Sequence, residues 1–194
     1  MKNTVKITAL VLALAGFTLG AKAQTNPTST KTTATGIRYS IGVDAGIPTG
    51  KLSDSYNWNL GGSIQAEAPI AKQLFVTLNA GYNNIFGKDV TVGATTVKAT
   101  DIQLLPVKAG LKYFAVSNFY VQGEAGAAFV LNKTKIGADN SVAFIYAPQI
   151  GYQFPLSGSS FLDAGVRYEA STKLNSNVND SKVNFVALRV AYGF

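Results

Sequence analysis

The chain of 194 residues contains no cysteine and no histidine. Without cysteine there is no disulfide, no thiolate metal site and no lipidated thiol. Without histidine the commonest neutral-pH acid, base and zinc ligand is missing, and Ser-His and Cys-His catalysis are both excluded. Charge is sparse, at 14% of residues. Long apolar runs are scarcer still: the one candidate, from Ile7 to about Leu19, falls short of the ~20 residues a spanning helix needs. What the chain does have is 47% hydrophobic residues, 19 Gly, 9 Tyr and 11 Phe against a single Met. That balance leans towards sheet and turns.

The opening segment, MKNTVKITALVLALAGFTLGAKAQ, places Lys2 and Lys6 before the apolar run and Ala21-Lys22-Ala23 after it. This is the layout of a secretory signal peptide over residues 1–23, cut before Gln24. Its removal takes three lysines with it. The 17 basic residues become 17 − 3 = 14 against 10 acidic, a mild +4. The remaining basic residues are scattered, with no clustered stripe or aromatic RNA-binding motif, so nucleic acid is not an expected partner. Residues 24–36, QTNPTSTKTTATG, read as a flexible Thr-rich tail.

From residue 37 onward the period is two. In IRYSIGVDAGI, Ile37, Tyr39, Ile41, Val43, Ala45 and Ile47 alternate with Arg38, Ser40, Gly42, Asp44 and Gly46, the mark of a strand with one apolar face. The pattern recurs in WNLGGSIQAEA, LFVTLNAGYNNIF, DIQLLPVKAGLKYF, FYVQGEAGAAFVL, VAFIYAPQIGYQF, FLDAGVRYEAS and the terminal FVALRVAYGF, which makes eight strands. Leu104-Leu105-Pro106 interrupts the phase, which predicts a bulge or irregular edge there.

The connections alternate in length. PIAK, AVSN and PLSGSS are short, whereas PTGKLSDSYN, GKDVTVGATTVKAT, NKTKIGADNS and TKLNSNVNDSK are long and polar. Consecutive antiparallel strands reverse direction, so all short links fall at one end and all long ones at the other. An even number of strands of about ten residues with long loops on one side predicts an all-β fold, an eight-stranded antiparallel up-and-down transmembrane β-barrel over 37–194.

The face opposite the apolar one carries Arg38, Lys108, Lys112, Arg167 and Arg189 with Asp44, Glu67, Glu124, Asp163 and Glu169. On lipid, each Arg or Lys would cost about 2–4 kcal/mol at the midplane, so this face turns inward. A water-soluble carrier barrel of lipocalin type would need the reverse arrangement. Equal numbers of each sign suit a narrow interior in which every charge needs a partner. On the outward face, Tyr39, Tyr113, Phe119 and Tyr152 gather near the short turns, and Trp58, Tyr82, Phe129, Phe144 and Tyr168 near the long loops. These form two aromatic belts at lipid–water boundaries.

The chain ends on the alternating Val186, Leu188, Val190, Tyr192 and Phe194, which suits a last strand that pairs with the first and leaves no open edge. With PVKAGLKYF and YVQGEAGAAF, this ending resembles the small eight-stranded outer-membrane β-barrel proteins of Gram-negative bacteria, of the outer-membrane protein A and X type. The resemblance spans residues 37–194. It implies a location in the bacterial outer membrane, contact with outer-membrane lipid and lipopolysaccharide, and a C-terminal signal read by the barrel-assembly machinery. Unlike in the A-type protein, no peptidoglycan-binding domain is expected after the barrel.

The activity expected is non-enzymatic: a polar lumen plugged by the salt-bridge network, with long loops serving surface interaction or envelope stability. A narrow pore is the alternative, and a barrel enzyme acting on lipid is a further one. For the latter, Glu67 with Glu124, or Asp163 with Glu169, would be the acid/base pairs, but positions six apart on a strand lie ~20 Å from each other, beyond the ~5–9.5 Å of glycoside chemistry. No cofactor or metal is expected. The acceptor patterns at Asn132 and Asn179 occur readily by chance, and Asp139-Asn140 reads as a turn.

Overall fold

The computed structural model describes residues 36–92, 95–175, 177–178 and 181–194. The expected signal peptide, the tail up to residue 35 and the Asn179 pattern lie outside the described residues. The strands are β1 (Arg38–Pro48), β2 (Tyr56–Ala71), β3 (Leu74–Gly87), β4 (Asp89–Val92), β5 (Thr95–Lys98), β6 (Ile102–Phe114), β7 (Phe119–Val130), β8 (Val142–Pro155), β9 (Phe161–Lys173) and β10 (Lys182–Gly193). Eight of them close into a barrel in the order β1-β10-β9-β8-β7-β6-β3-β2, while β4 and β5 form a separate hairpin within the long link between β3 and β6. All barrel pairings are antiparallel.

Closure is made by the two ends of the barrel sequence. β1 pairs with β10 from Ser40↔Gly193 to Pro48↔Phe185. The seam is extended by Phe194 N–H donating to the Tyr39 carbonyl at 2.9 Å and Tyr39 N–H donating to the Phe194 carbonyl at 3.3 Å. No backbone edge of the sheet is left open, which is the condition for a sheet to sit in hydrocarbon. No helix among the described residues is long and apolar enough to cross a membrane. The strands supply the apolar surface instead: Leu188 is 65% exposed, Ile47 64% and Val43 59%. A continuous belt of this kind far exceeds what a water-facing surface carries.

The expectation of a bulge or irregular edge at Leu104–Pro106 holds only for the edge. The burial of β6 keeps strict phase, with Ile102, Leu104, Pro106, Lys108 and Lys112 all inward, and β6 pairs with β7 in unbroken register. There is no bulge. Leu104 faces inward because the loop-side half of the interior is apolar, so a leucine on the polar-reading face is in phase. The proline has a narrower effect: pairing with β3 lapses between Ala80↔Val107 and Asn83↔Leu104, where Pro106 has no N–H to donate.

An irregularity does occur in β9. Lys182 pairs with Lys173 but Asn184 pairs with Ala170, so Ser171 and Thr172 together face Val183. Consequently Glu169, Ala170 and Ser171 are buried in succession. Side chains satisfy the displaced backbone: Ser171 Oγ accepts from Val183 N–H at 2.8 Å, and Thr172 Oγ1 accepts from Phe144 N–H at 3.0 Å.

Candidate functional site

The barrel interior is the most elaborated part of the molecule. All ten charged residues read as inward are inside it: Arg38 is half-buried, and the other nine are buried. They form two chains of alternating sign. Nearest the short turns, Arg38 pairs with Glu67, Glu67 with Lys112, and Lys112 with Asp163 at 3.3 Å. In the middle, Arg189 meets Asp44 at 3.1 Å, Asp44 meets Arg167 at 3.5 Å, Arg167 meets Glu124 at 3.5 Å, Glu124 meets Lys108 at 3.9 Å, and Lys108 pairs with Glu169. The first chain holds two cations and two anions, the second three and three. Each sums to zero, which is how so many charges tolerate a low-dielectric interior.

Local sequence makes room for them. Lys108 stands opposite Gly126 and Glu124 opposite Gly110 in the β6–β7 ladder, Asp44 opposite Gly61, and Arg189 opposite Gly165. A Cβ on Gly110 would lie 2.0 Å from the Gly123 carbonyl oxygen, and one on Gly126 2.0 Å from that of Val107. The strands approach too closely there for any side chain except the charged one opposite.

Neutral groups join the two chains. Tyr120 donates to Asp163 at 2.6 Å and accepts from the Gln149 amide at 2.5 Å, while Gln149 accepts from Arg167 Nε at 2.9 Å. Gln65 donates to Glu67 at 2.8 Å, Gln153 to Asp163 at 3.0 Å, and Thr77 to Glu124 at 3.2 Å. Tyr120 and Gln149 were not among the expected site residues. Their signal was available, since both sit on the inward phase of their strands.

Apolar layers bound the ionic ones. At the short-turn end, Phe75, Phe114 and Tyr120 pack edge to face, and the Arg38 guanidinium lies 4.6 Å from the Phe75 ring and 4.8 Å from that of Phe161. At the loop end, Ile85, Ile102, Leu104, Val130, Ile145 and Phe185 form a buried cluster, completed from the loops by Leu52 and Leu174. The polar lumen expected from the sequence is thus confined to the middle and short-turn end, with an apolar cap above it.

The long loops are tied together above that cap. Lys88 donates from its N–H to Ser55 O at 2.8 Å and from its ammonium to Ser53 O at 2.5 Å. Asn132 donates to the Asp101 carbonyl at 2.6 Å and accepts from Gln103 N–H at 3.1 Å. Asn140 N–H donates to Leu174 O at 3.0 Å, and Thr49 N–H to Asn184 O at 2.9 Å. The first long loop is thus joined to the second, the second to the third and the third to the fourth, while Thr49 ties the first loop to β10. Partial burial works against ionisation of Asp101, but the Gly87 N–H, the Asn84 amide and Lys98 outweigh it and hold the carboxyl below its ordinary value.

Outside, Trp58 stacks on Phe86 at 4.3 Å and Tyr152 lies against Phe154 at 4.7 Å. Tyr82, Tyr113, Phe119, Phe129 and Phe144 are exposed, and Tyr168 is partly so. Phe194 stacks between Tyr39 and Tyr192. Val186, Leu188, Val190 and Tyr192 share the outward face of β10.

As chemistry, the interior offers little to a substrate. Neither proposed carboxylate pair comes together. Instead Lys112 brings Glu67 and Asp163 to one ammonium, and Arg38 on Glu67 supplies the second cation that balances the two carboxylates. The register explains the miss: Glu67 ends β2 and Asp163 begins β9, so both lie at the same end of the barrel. No group of acidic residues that could hold a metal occurs among the described residues.

A closed antiparallel barrel, apolar outside and ion-paired within, defines a small membrane-spanning β-barrel. The chain belongs to the outer membrane protein beta-barrel domain family, whose model matches residues 9–194. No curated protein matches it. Among solved structures, the Yersinia pestis outer membrane protein Ail in a phospholipid bilayer nanodisc is similar at 19% identity, over 81% of this chain and 99% of that one, with a TM-score of 0.52. OprG from Pseudomonas aeruginosa is 15% identical over 82% and 96%, with a TM-score of 0.47. The outer membrane protein AlkL is 14% identical over 91% and 97%, with a TM-score of 0.49. At these identities the likeness is one of fold.

Proposed function

We propose that this outer-membrane barrel is non-enzymatic and non-conducting, and that it acts through its long loops at the cell surface, in surface interaction or envelope stability. The observation that carries this reading is the stack inside the barrel: an aromatic floor, two neutral ion-pair chains and an apolar cap. Water needs a continuous polar path to carry ions, and the cap of Ile85, Leu104, Ile145 and Phe185 offers none. The linked loops support the same reading, because they are held to one another above a closed interior. Export through the signal peptide, recognition of the terminal Val186, Leu188, Val190, Tyr192 and Phe194 by the barrel-assembly machinery, and contact with lipopolysaccharide belong to this proposal.

The test is paired. Detergent-extracted membranes are run on SDS gels with and without heating, and the purified protein is then placed in planar bilayers. A band that shifts on heating, with conductance at the lipid baseline, supports the proposal. Steady single-channel current would overturn it in favour of a narrow pore.

A further inference from the structure

We propose that the short-turn end of the barrel is an anchor in the inner leaflet: its three turns enter the headgroup layer, Ile70, Val116 and Leu156 lie against the acyl-chain boundary, and Lys72 meets the phosphate of an anionic glycerophospholipid. The proposal rests on the reading that the barrel spans the outer membrane with its long loops outward.

Each short link holds one aliphatic side chain away from the protein. Ile70 is 57% exposed, Val116 64% and Leu156 50%. Ile70 stands where the β2–β3 register shifts between Pro69 and Ala71. Turns that face water favour Asn, Asp, Gly or Ser, yet no acidic side chain occurs in PIAK, AVSN or PLSGSS, and Lys72 is their single charge. It is exposed. The long loops differ, since they expose Asp54, Asp89 and Asp139. The carboxylates nearest the short turns, Glu67 and Asp163, are buried in the lumen with their cations.

Height decides what these turns meet. Val116 follows the outward Tyr113 by three residues, and Leu156 follows Phe154 by two. A strand rising about 3.3 Å per residue and tilted about 40° gains about 2.5 Å of height per residue. The tips therefore lie about 5–8 Å beyond the belt, while a headgroup layer is about 5–7 Å deep. They end inside that layer. A protein partner would need a platform raised above the headgroups, which links of this length do not build.

The turns are also continuous with the lipid-facing belt. The Asn118 amide donates to the Tyr152 hydroxyl at 3.1 Å, and the Tyr192 hydroxyl donates to Ser160 Oγ at 3.0 Å. Both rings are exposed on the outward wall, so each tyrosine keeps its ring in lipid and its hydroxyl on a turn. Backbone donors are satisfied as well: Phe114 N–H donates to the Gln73 carbonyl, Gln153 N–H to that of Asn118 and Leu156 N–H to that of Ser160, each at 2.9 Å. Paired groups remove a main cost of entering a poorly hydrated layer.

Because the chain has no cysteine, a single introduced one takes a nitroxide label at one place. Val116→Cys and Leu156→Cys are labelled, with Val43→Cys on the outer wall and Lys135→Cys in the third long loop as references. In nanodiscs of phosphatidylcholine and phosphatidylglycerol, electron-spin saturation is recorded with oxygen, which concentrates in lipid, and with a nickel chelate, which stays in water. The oxygen-to-nickel ratio at Val116 and Leu156 should fall between the two references. Native mass spectrometry of Lys72→Gln should show the preference for phosphatidylglycerol over phosphatidylcholine reduced by about fivefold. Labels at the two turns as open to nickel as the one at Lys135, or a lipid preference unaltered by Lys72→Gln, would overturn the anchor. A heat-shifted band and a lipid-type ratio at Val43 on the same samples separate these failures from failure of the barrel to insert, which would sink the underlying reading instead.

Discussion

Arg189 is among the largest fully buried side chains of the barrel, and its environment shows how a charge survives there. It reaches Asp44 at 3.1 Å and Ser63 as well, and the glycine opposite it leaves the needed space. Substituting Arg189→Met leaves Asp44 with Arg167 at 3.5 Å as its one cation and the Ser63 hydroxyl at 3.4 Å, and breaking a buried pair by removing one partner costs about 3–5 kcal/mol. The double variant Arg189→Met/Asp44→Asn should recover part of that loss. Urea unfolding of the protein in lipid vesicles measures both. At the rim, Asp101 contributes with a definite sign. Its folded value lies below the ordinary carboxylate value of about 3.9, so its stabilisation of the second long loop is complete above that and is lost as pH falls through the lower folded value. The protection of the Gly87 amide, its exchange rate taken relative to the intrinsic rate at each pH, should therefore be unchanged from neutral pH down to about pH 4 and fall below it. The inward position of the charged residues was legible from phase alone. Their partners were not, because pairing across the lumen depends on the register of strands far apart in sequence.

At the scale of the element, the glycines opposite charges are the constraint that admits least change. A Cβ at Gly126 would sit 2.0 Å from a backbone oxygen, which cannot yield as a side-chain tip can. Gly126→Ala should destabilise the β6–β7 pairing by about 1–3 kcal/mol or more, visible as a lower heating midpoint for the gel shift. The terminal strand offers the complementary case. Phe194 closes the seam with two backbone bonds and two ring contacts. Phe194→Ser keeps the former and removes the latter, so about 0.5–1.5 kcal/mol per ring pair should be lost, read by the same midpoint. All eight barrel strands could be read from the alternation. The irregularity at Ser171-Thr172 could not, since a serine and a threonine fit either face, and at Leu104–Pro106 an apolar residue on the inward face reads as a shift of phase.

For the whole molecule, the interior is layered, and the layers are redundant as barriers. Replacing Leu104 and Ile145 with serine opens the apolar cap but leaves both ion-pair chains below it. Stability should fall by about 2–5 kcal/mol for each side chain, while conductance in planar bilayers should stay at baseline. The cap itself was hidden in the sequence. Near the loops both faces of the strands are hydrophobic, as at Ile85-Phe86 and Phe144-Ile145, and the period-two contrast that marks inside from outside fades there. The closed architecture was legible from strand count and loop alternation, because both follow from chain direction and need no knowledge of side-chain partners.

The ion pairs also carry information about when the barrel can become stable. Lys108 and Glu169 are 61 positions apart, Lys112 and Asp163 51, and Arg189 and Asp44 145. They join strands on opposite sides of the lumen, or the first strand to the last. A sheet that has not yet curved round therefore holds five acids and five bases with few of their final partners, and gains little from each strand it adds. The two pairs to Asp44, from Arg189 on β10 and Arg167 on β9, arrive only with the meeting of β1 and β10. Partly assembled sheets should for that reason be transient and open to proteolysis, and the finished barrel slow to come apart.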